Sequence, residues 1–179
     1  VFFPEIPKNN NLKKSNKEEY FAVISDVHVG SKIFLEEEFL NFISWINGET
    51  GNKQQKDIAE KLKYLFIVGD LVDGVGVYPE QEQQLDIKDI YMQYDILARL
   101  LKKIRKDVKI IICPGDHDAV RLSEPQPPLD KKIANSLYVI PNITMVSNPA
   151  LVNIGSNKDF EGFDVLMYHG KSYNFFSDE

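Results

Sequence analysis

Three histidines occur in the chain, and each stands just beyond an apolar run of strand length. They lie in Ser25-Asp-Val-His28, Gly115-Asp-His-Asp118 and Tyr168-His-Gly170, and a fourth apolar run ends in Gly69-Asp-Leu-Val-Asp73-Gly74. Carboxylate oxygens and imidazole nitrogens are donors suited to manganese, iron, zinc and nickel. Two such ions about 3.5–4 Å apart, sharing a bridging carboxylate, clamp an in-line displacement at phosphorus and lower the pKa of a bound water. The candidate residues for that chemistry are Asp26, His28, Asp70, Asp73, Asp116, His117, Asp118 and His169. Singly, each motif has an ordinary explanation. An Asp in a turn caps the backbone, and a lone His169 fits a packed or surface position. Gly115-Asp-His-Asp118 is the sharpest signal, because a turn needs neither His117 nor two flanking carboxylates. Had the histidines been scattered by chance, at least one would fall on a solvated helix face.

Positioning these residues requires strands that end at a common edge. The sequence predicts strands over Tyr20–Ser25, Tyr64–Gly69 and Val108–Cys113, with further strands near Ile143–Ser147, Ala150–Ile154 and Phe163–Tyr168. Apolar residues at helical spacing predict helices over Leu35–Ile46 and Ile87–Ile104, with shorter ones at Asp57–Lys63 and Leu129–Leu137. Asn47–Lys56, Asp70–Gln84 and the proline-rich Pro114–Pro128 are expected as loops. Alternating strands and helices give an α/β fold. Near-continuous apolar strands suggest helices on both sheet faces, and ligands in such sheets bind beyond the carboxyl ends of the strands.

Bulk properties agree with one enzyme-sized domain. The chain has 179 residues, 43% of them apolar, enough for a core and too many for a disordered chain. No apolar run approaches the roughly 20 residues of a membrane helix, so no membrane contact is expected, and Val1–Asn10 does not read as a secretory signal. The single Cys113 has no partner for an internal disulfide, which suits a cytoplasmic setting. A net charge of −6 argues against a general nucleic-acid binder. Carboxylates gathered around cations weaken that objection, since the ions neutralise them. Residues 1–18 read as a linker or arm from an upstream region, and residues 19–179 as the domain itself.

The ordered motifs resemble the calcineurin-like metallophosphoesterase superfamily, whose pattern runs Asp-x-His, Gly-Asp-x-x-Asp, Gly-Asn-His-Asp/Glu, His, Gly-His-x-His. Longer stretches narrow the resemblance. Asp26-Val-His-Val-Gly-Ser31, Gly69-Asp-Leu-Val-Asp-Gly-Val-Gly-Val-Tyr-Pro79, His117-Asp-Ala-Val-Arg121, Glu124-Pro-Gln-Pro127 and Tyr168-His-Gly170 are similar to the small, exonuclease subunits of archaeal family-D DNA polymerases. The similarity covers about Tyr20 to the end. It implies a sandwich of two mixed β-sheets flanked by helices, C-terminally incomplete in this chain.

The resemblance also implies roles. Asp26, His28 and Asp70 would hold one metal, with Asp70 bridging to a second held by Asp116 and His169. His117 would protonate the leaving oxygen, and Asp118 would orient His117. Asp73 is a supporting residue or a loop cap. Arg121 binds a phosphate or makes a structural salt bridge. Two departures stand out. Asp116 replaces the family's Asn and adds a negative charge, which could tighten metal binding while weakening the attraction for phosphate. The chain also ends at Glu179 before any Gly-His-x-His, which supplies two further ligands in the family. It is therefore expected to be a fragment, weak or inactive by itself. The implied function is a 3′→5′ DNA exonuclease, the proofreading subunit of a replicative polymerase. It would use two divalent transition metals, manganese foremost and iron, zinc or nickel also suited. Its partners would be the large catalytic subunit and DNA 3′ ends, single-stranded or mismatched. A non-catalytic scaffold subunit and a general metallophosphodiesterase are the alternatives.

Overall fold

The computed structural model describes residues 13–173. Its main sheet is parallel, in the order β1 (Tyr20–Ile24), β2 (Leu62–Val68), β3 (Lys109–Cys113), β4 (Ile143–Met145). Helices α1 (Glu36–Ile46), α2 (Lys53–Lys61), α3 (Ile90–Leu101) and α4 (Asn135–Tyr138) lie between these strands in sequence. A second, antiparallel pair follows: β5 (Ala150–Ile154) and β6 (Phe163–Met167). The expected α/β sandwich of two sheets is present, one sheet parallel throughout and the other antiparallel.

Strand periodicity divides the core in two. Leu65 and Ile67 of β2, with Ile110 and Ile112 of β3, face a helical layer carrying Ile43, Ile46, Tyr94, Leu97, Leu101 and Leu137. Phe66, Ile111 and Cys113 point the other way and pack on Ile154 and Met167, with Val152 and Val165 beside them. The apolar runs suggested helices on both faces. The structure corrects this: the second face is covered by a sheet, which excludes water from a strand as well as helices do. The second sheet covers β2 and β3 but leaves Phe21 and Val23 of β1 more than half exposed.

Several boundaries moved for local reasons. α2 begins at Lys53, inside the expected loop, because Asn52 and Gln55 form a reciprocal capping box. α3 begins at Ile90 because the Asp89 carboxylate accepts the Met92 N–H at 2.9 Å. Of the expected helix at 129–137 only the last three residues are helical, within α4 (Asn135–Tyr138). Asp130 instead caps a turn by accepting the Lys132 N–H at 2.7 Å. Of the expected arm, residues 1–12 lie outside the described residues, and 13–19 carry no helix or strand.

Register sets the site. Ile24 pairs with Ile67, Ile67 with Ile112 and Ile112 with Met145, so four strands end level. Pairing continues beyond the strands, with Asp26 N–H on Gly69 O, Gly69 N–H on Cys113 O and His28 N–H on Asp70 O, each at 3.1 Å. The segments carrying the candidate residues are thus held by the same ladder that builds the sheet.

Candidate metal centre

Three groups of potential ligands form at this edge: His28, Asp73 and His117; Asp26, His28 and Asp70; and Asp70, Asp116 and His169. Asp70 belongs to the last two. Its Oδ2 lies 3.7 Å from His28 Nε2 and its Oδ1 3.4 Å from His169 Nε2. Asp26 Oδ1 is 3.9 Å from His28 Nε2, and Asp116 Oδ1 is 3.2 Å from His169 Nε2. One carboxylate thus offers an oxygen to each side, the arrangement a bridged pair of cations requires.

The imidazoles are oriented alike. His28 Nδ1 is 3.0 Å from Asp73 Oδ1, and His169 Nδ1 is 2.9 Å from the Val68 carbonyl. Each acceptor fixes a hydrogen on Nδ1 and turns Nε2 toward the carboxylates. His117 Nδ1 likewise donates to the Asp73 carbonyl at 2.8 Å. Its ring stands edge-on to His28, centroids 4.7 Å apart, with Tyr78 6.0 Å away.

Close approach demands glycine at two points. A methyl group on Gly69 would overlap the His169 ring, and one on Gly115 would overlap Asp70 Oδ1 and the Asp70 backbone nitrogen. The backbone is also left-handed at Asp26 (φ 54°), His28 (φ 50°) and Asp70 (φ 50°), a region L-residues enter at a cost. Oxygen and imidazole donors, a shared carboxylate and this close-built cradle fit a pair of divalent ions.

The electrostatics couple His169 to Asp70. Hydrogen bonding to Asp70 raises the His169 pKa to about 9, against its burial. Burial acts to raise Asp70, but hydrogen bonds from His169 and the His117 N–H outweigh it and hold the carboxyl below its ordinary value.

One expected role changes, and of the two readings of Arg121 the salt bridge falls away. Asp118 was expected to orient His117. Instead its Oδ2 accepts the Leu71 and Gly115 N–H groups at 3.2 and 2.9 Å, and its Oδ1 accepts the Tyr94 hydroxyl at 3.1 Å. It is 4% exposed, and burial pushes its carboxyl up to about 7 against the bonds from Gly115 and Leu71. Asp118 therefore ties the motif loops together, and Asp73 supplies the contact to His117. Arg121 makes no ion pair with a described carboxylate: its guanidinium donates to the Pro125 carbonyl and closes its own loop.

Residues not singled out from the sequence complete the support. Gln81 is 1% exposed and donates to the Asp73 carbonyl and carboxylate at 2.7 and 3.0 Å. Gln126, from the Glu-Pro-Gln-Pro segment, donates to Gly115 O and accepts from Asn148, which in turn accepts the His169 N–H. That buried relay ties the third motif to the fourth. The sequence marks the segment as a motif without assigning its Gln a role.

A fold of this kind, with paired ligand groups at the strand ends, is that of a metallophosphoesterase. The calcineurin-like phosphoesterase family model matches residues 20–179, and the chain belongs to that family. Curated relatives named DNA polymerase II small subunit are similar to it. That of Methanothermobacter thermautotrophicus is 44% identical over 97% of this chain and 34% of its own length. That of Archaeoglobus fulgidus is 48% identical over 96% and 33%, and that of Methanocaldococcus jannaschii 48% identical over 97% and 28%. The chain spans about a third of the length of these relatives. No helix among the described residues is long and apolar enough to cross a membrane.

Proposed function

We propose that this domain is the nuclease centre of a polymerase small subunit, removing nucleotides from mismatched or single-stranded DNA 3′ ends beside a large catalytic subunit in the cytoplasm. The observation that carries the reading is Asp70, whose two oxygens face two imidazole Nε2 atoms turned toward it by hydrogen bonds on their far sides. Asp26, His28 and Asp70 would hold one divalent ion, and Asp70, Asp116 and His169 the other, manganese foremost. When bound, such ions activate water and offset charge at the scissile phosphate. The protein's own contribution is placement and proton transfer. Asp73 fixes His28 through its carboxylate and His117 through its carbonyl. A protonated His117 would then present Nε2–H to the leaving oxygen.

A groove of about 620 Å³ supports a substrate larger than a phosphate. It is lined by Asp26, His28 and His117 and also by Phe34 and Phe39, which leaves room for a nucleoside beside the diester. The relatives' printed names supply the polymerase context. The test uses the full-length protein, Mn²⁺ and a primer with a mismatched 3′ end. Wild type should shorten the primer from that end, and His117→Ala should do so at least about 100-fold more slowly. Equal shortening by both, or none by either, would overturn the proposal.

A further inference from the structure

Asp116 brings a full negative charge to a position where an amide would suffice as an oxygen donor, and the structure shows where that charge goes. The two carboxylate oxygens are divided. Oδ1 faces His169 Nε2 at 3.2 Å, inside the ligand group, while Oδ2 lies 2.7 Å from Lys171 Nζ. The Asp116 side chain is 10% exposed, so the pair is shielded on the carboxylate side. Among the described residues no other lysine or arginine pairs with Asp26, Asp70, Asp73 or Asp116.

The local chain is shaped to deliver this contact. Gly170 is left-handed (φ 91°) and reverses the backbone directly after His169. The Tyr173 N–H closes the turn on Gly170 O at 3.0 Å, and the Tyr173 ring packs edge-on against Tyr168 at 5.2 Å. Ligand and ammonium therefore arrive from one short turn, two residues apart.

Four carboxylates converge here, and two divalent cations would cancel their charge without surplus. A phosphodiester carries one further negative charge, and a balanced cluster adds nothing to the pull of the ions themselves unless another cation is present. We propose that Lys171 is the charge partner of Asp116. It binds the outer oxygen, leaves the inner one as a single-point metal donor, and makes the Asp equivalent in charge to an amide. Phosphate affinity is thereby kept where an uncompensated Asp would reduce it. Lys171 is thus a positioning residue acting through Asp116. The inference rests on the two-metal reading above.

The test compares full-length wild type, Lys171→Met, Lys171→Arg, Asp116→Asn and the double variant Asp116→Asn/Lys171→Met. Calorimetry reads Mn²⁺ binding first and then binding of inorganic phosphate to the Mn²⁺-loaded protein. Lys171→Met should bind Mn²⁺ at least as tightly as wild type and phosphate about tenfold more weakly. Lys171→Arg should stay within about threefold of wild type, since the charge is kept. Asp116→Asn should bind phosphate at least as tightly as wild type, and the double variant should recover the wild-type affinity. Unchanged phosphate affinity in Lys171→Met, or a double variant as weak as Lys171→Met alone, would overturn the inference. Wild type that takes up no Mn²⁺ would remove the two-metal reading itself, and this inference with it.

Discussion

Replacing Asp118 by Ala separates two roles that the motif alone leaves entangled. In the folded chain its carboxylate serves two backbone N–H groups, of Leu71 and Gly115, and the Tyr94 hydroxyl. Removal strands both buried N–H groups, each at about 1–3 kcal/mol. The Tyr94 hydroxyl still accepts the Ala119 N–H at 3.0 Å, so its loss is partial. Against this, folding no longer carries a buried carboxylate. The net expectation is about 3–5 kcal/mol of lost stability, a large share of the roughly 5–15 kcal/mol typical of a domain. The sign with pH follows from the raised value. A carboxyl at about 7 when folded and 3.8 when unfolded contributes most below 3.8 and loses that contribution as pH rises through 7. The deficit of Asp118→Ala should therefore be larger at pH 5 than at pH 8. Urea midpoints at both values measure it, with Tyr94→Phe expected at about 1–2 kcal/mol as a partial copy. An unchanged midpoint together with a collapse of hydrolysis would refute this reasoning and return Asp118 to orienting His117.

Other perturbations test other links. Gly115→Ala should abolish metal uptake, since its methyl would displace Asp70; elemental analysis after gel filtration would read it, and full occupancy would contradict the cradle. In chelated protein, His169 with its pKa near 9 stabilises the fold fully below pH 6.5 and loses that contribution as pH rises through 9. His169→Gln should flatten this alkaline decline in thermal melts. Metal binding at pH 7 must displace the same proton, so its calorimetric heat should change with the ionisation heat of the buffer. Arg105→Ala should cost about 2–4 kcal/mol in urea unfolding, because the guanidinium donates to Ile46 O, Ala59 O and Leu62 O at the ends of α1 and α2.

The strands of the main sheet and their shared edge were legible because the apolar runs at Tyr64–Val68 and Lys109–Cys113 are long and each ends in an ionisable motif. The partners of those motifs were not. Asp118 sits next to His117 in sequence, but a residue's neighbour in a tight turn points elsewhere, and the contact to His117 comes from the Asp73 carbonyl, 44 residues away. Gln81, Gln126 and Asn148 are common loop residues, and only their burial marks them as supports. The start of α2 was legible in Asn52 and Gln55 but obscured by the polar character of the whole segment. Lys171 stood directly after Tyr168-His-Gly170, yet nothing in the spacing said the chain would turn back at Gly170.

The left-handed backbone at Asp26, His28 and Asp70 has a consequence for how such a domain changes over generations. Each of these residues costs folding stability, on the order of 1 kcal/mol or more, in a conformation that glycine adopts freely. Under the proposed hydrolysis, selection opposes relaxation of that cost. In a lineage where hydrolysis no longer matters, substitutions such as His28→Gly become gains in stability, and drift and folding push in the same direction. Retention of all three residues then marks a lineage in which the chemistry is still in use, while the sheet beneath would survive their loss.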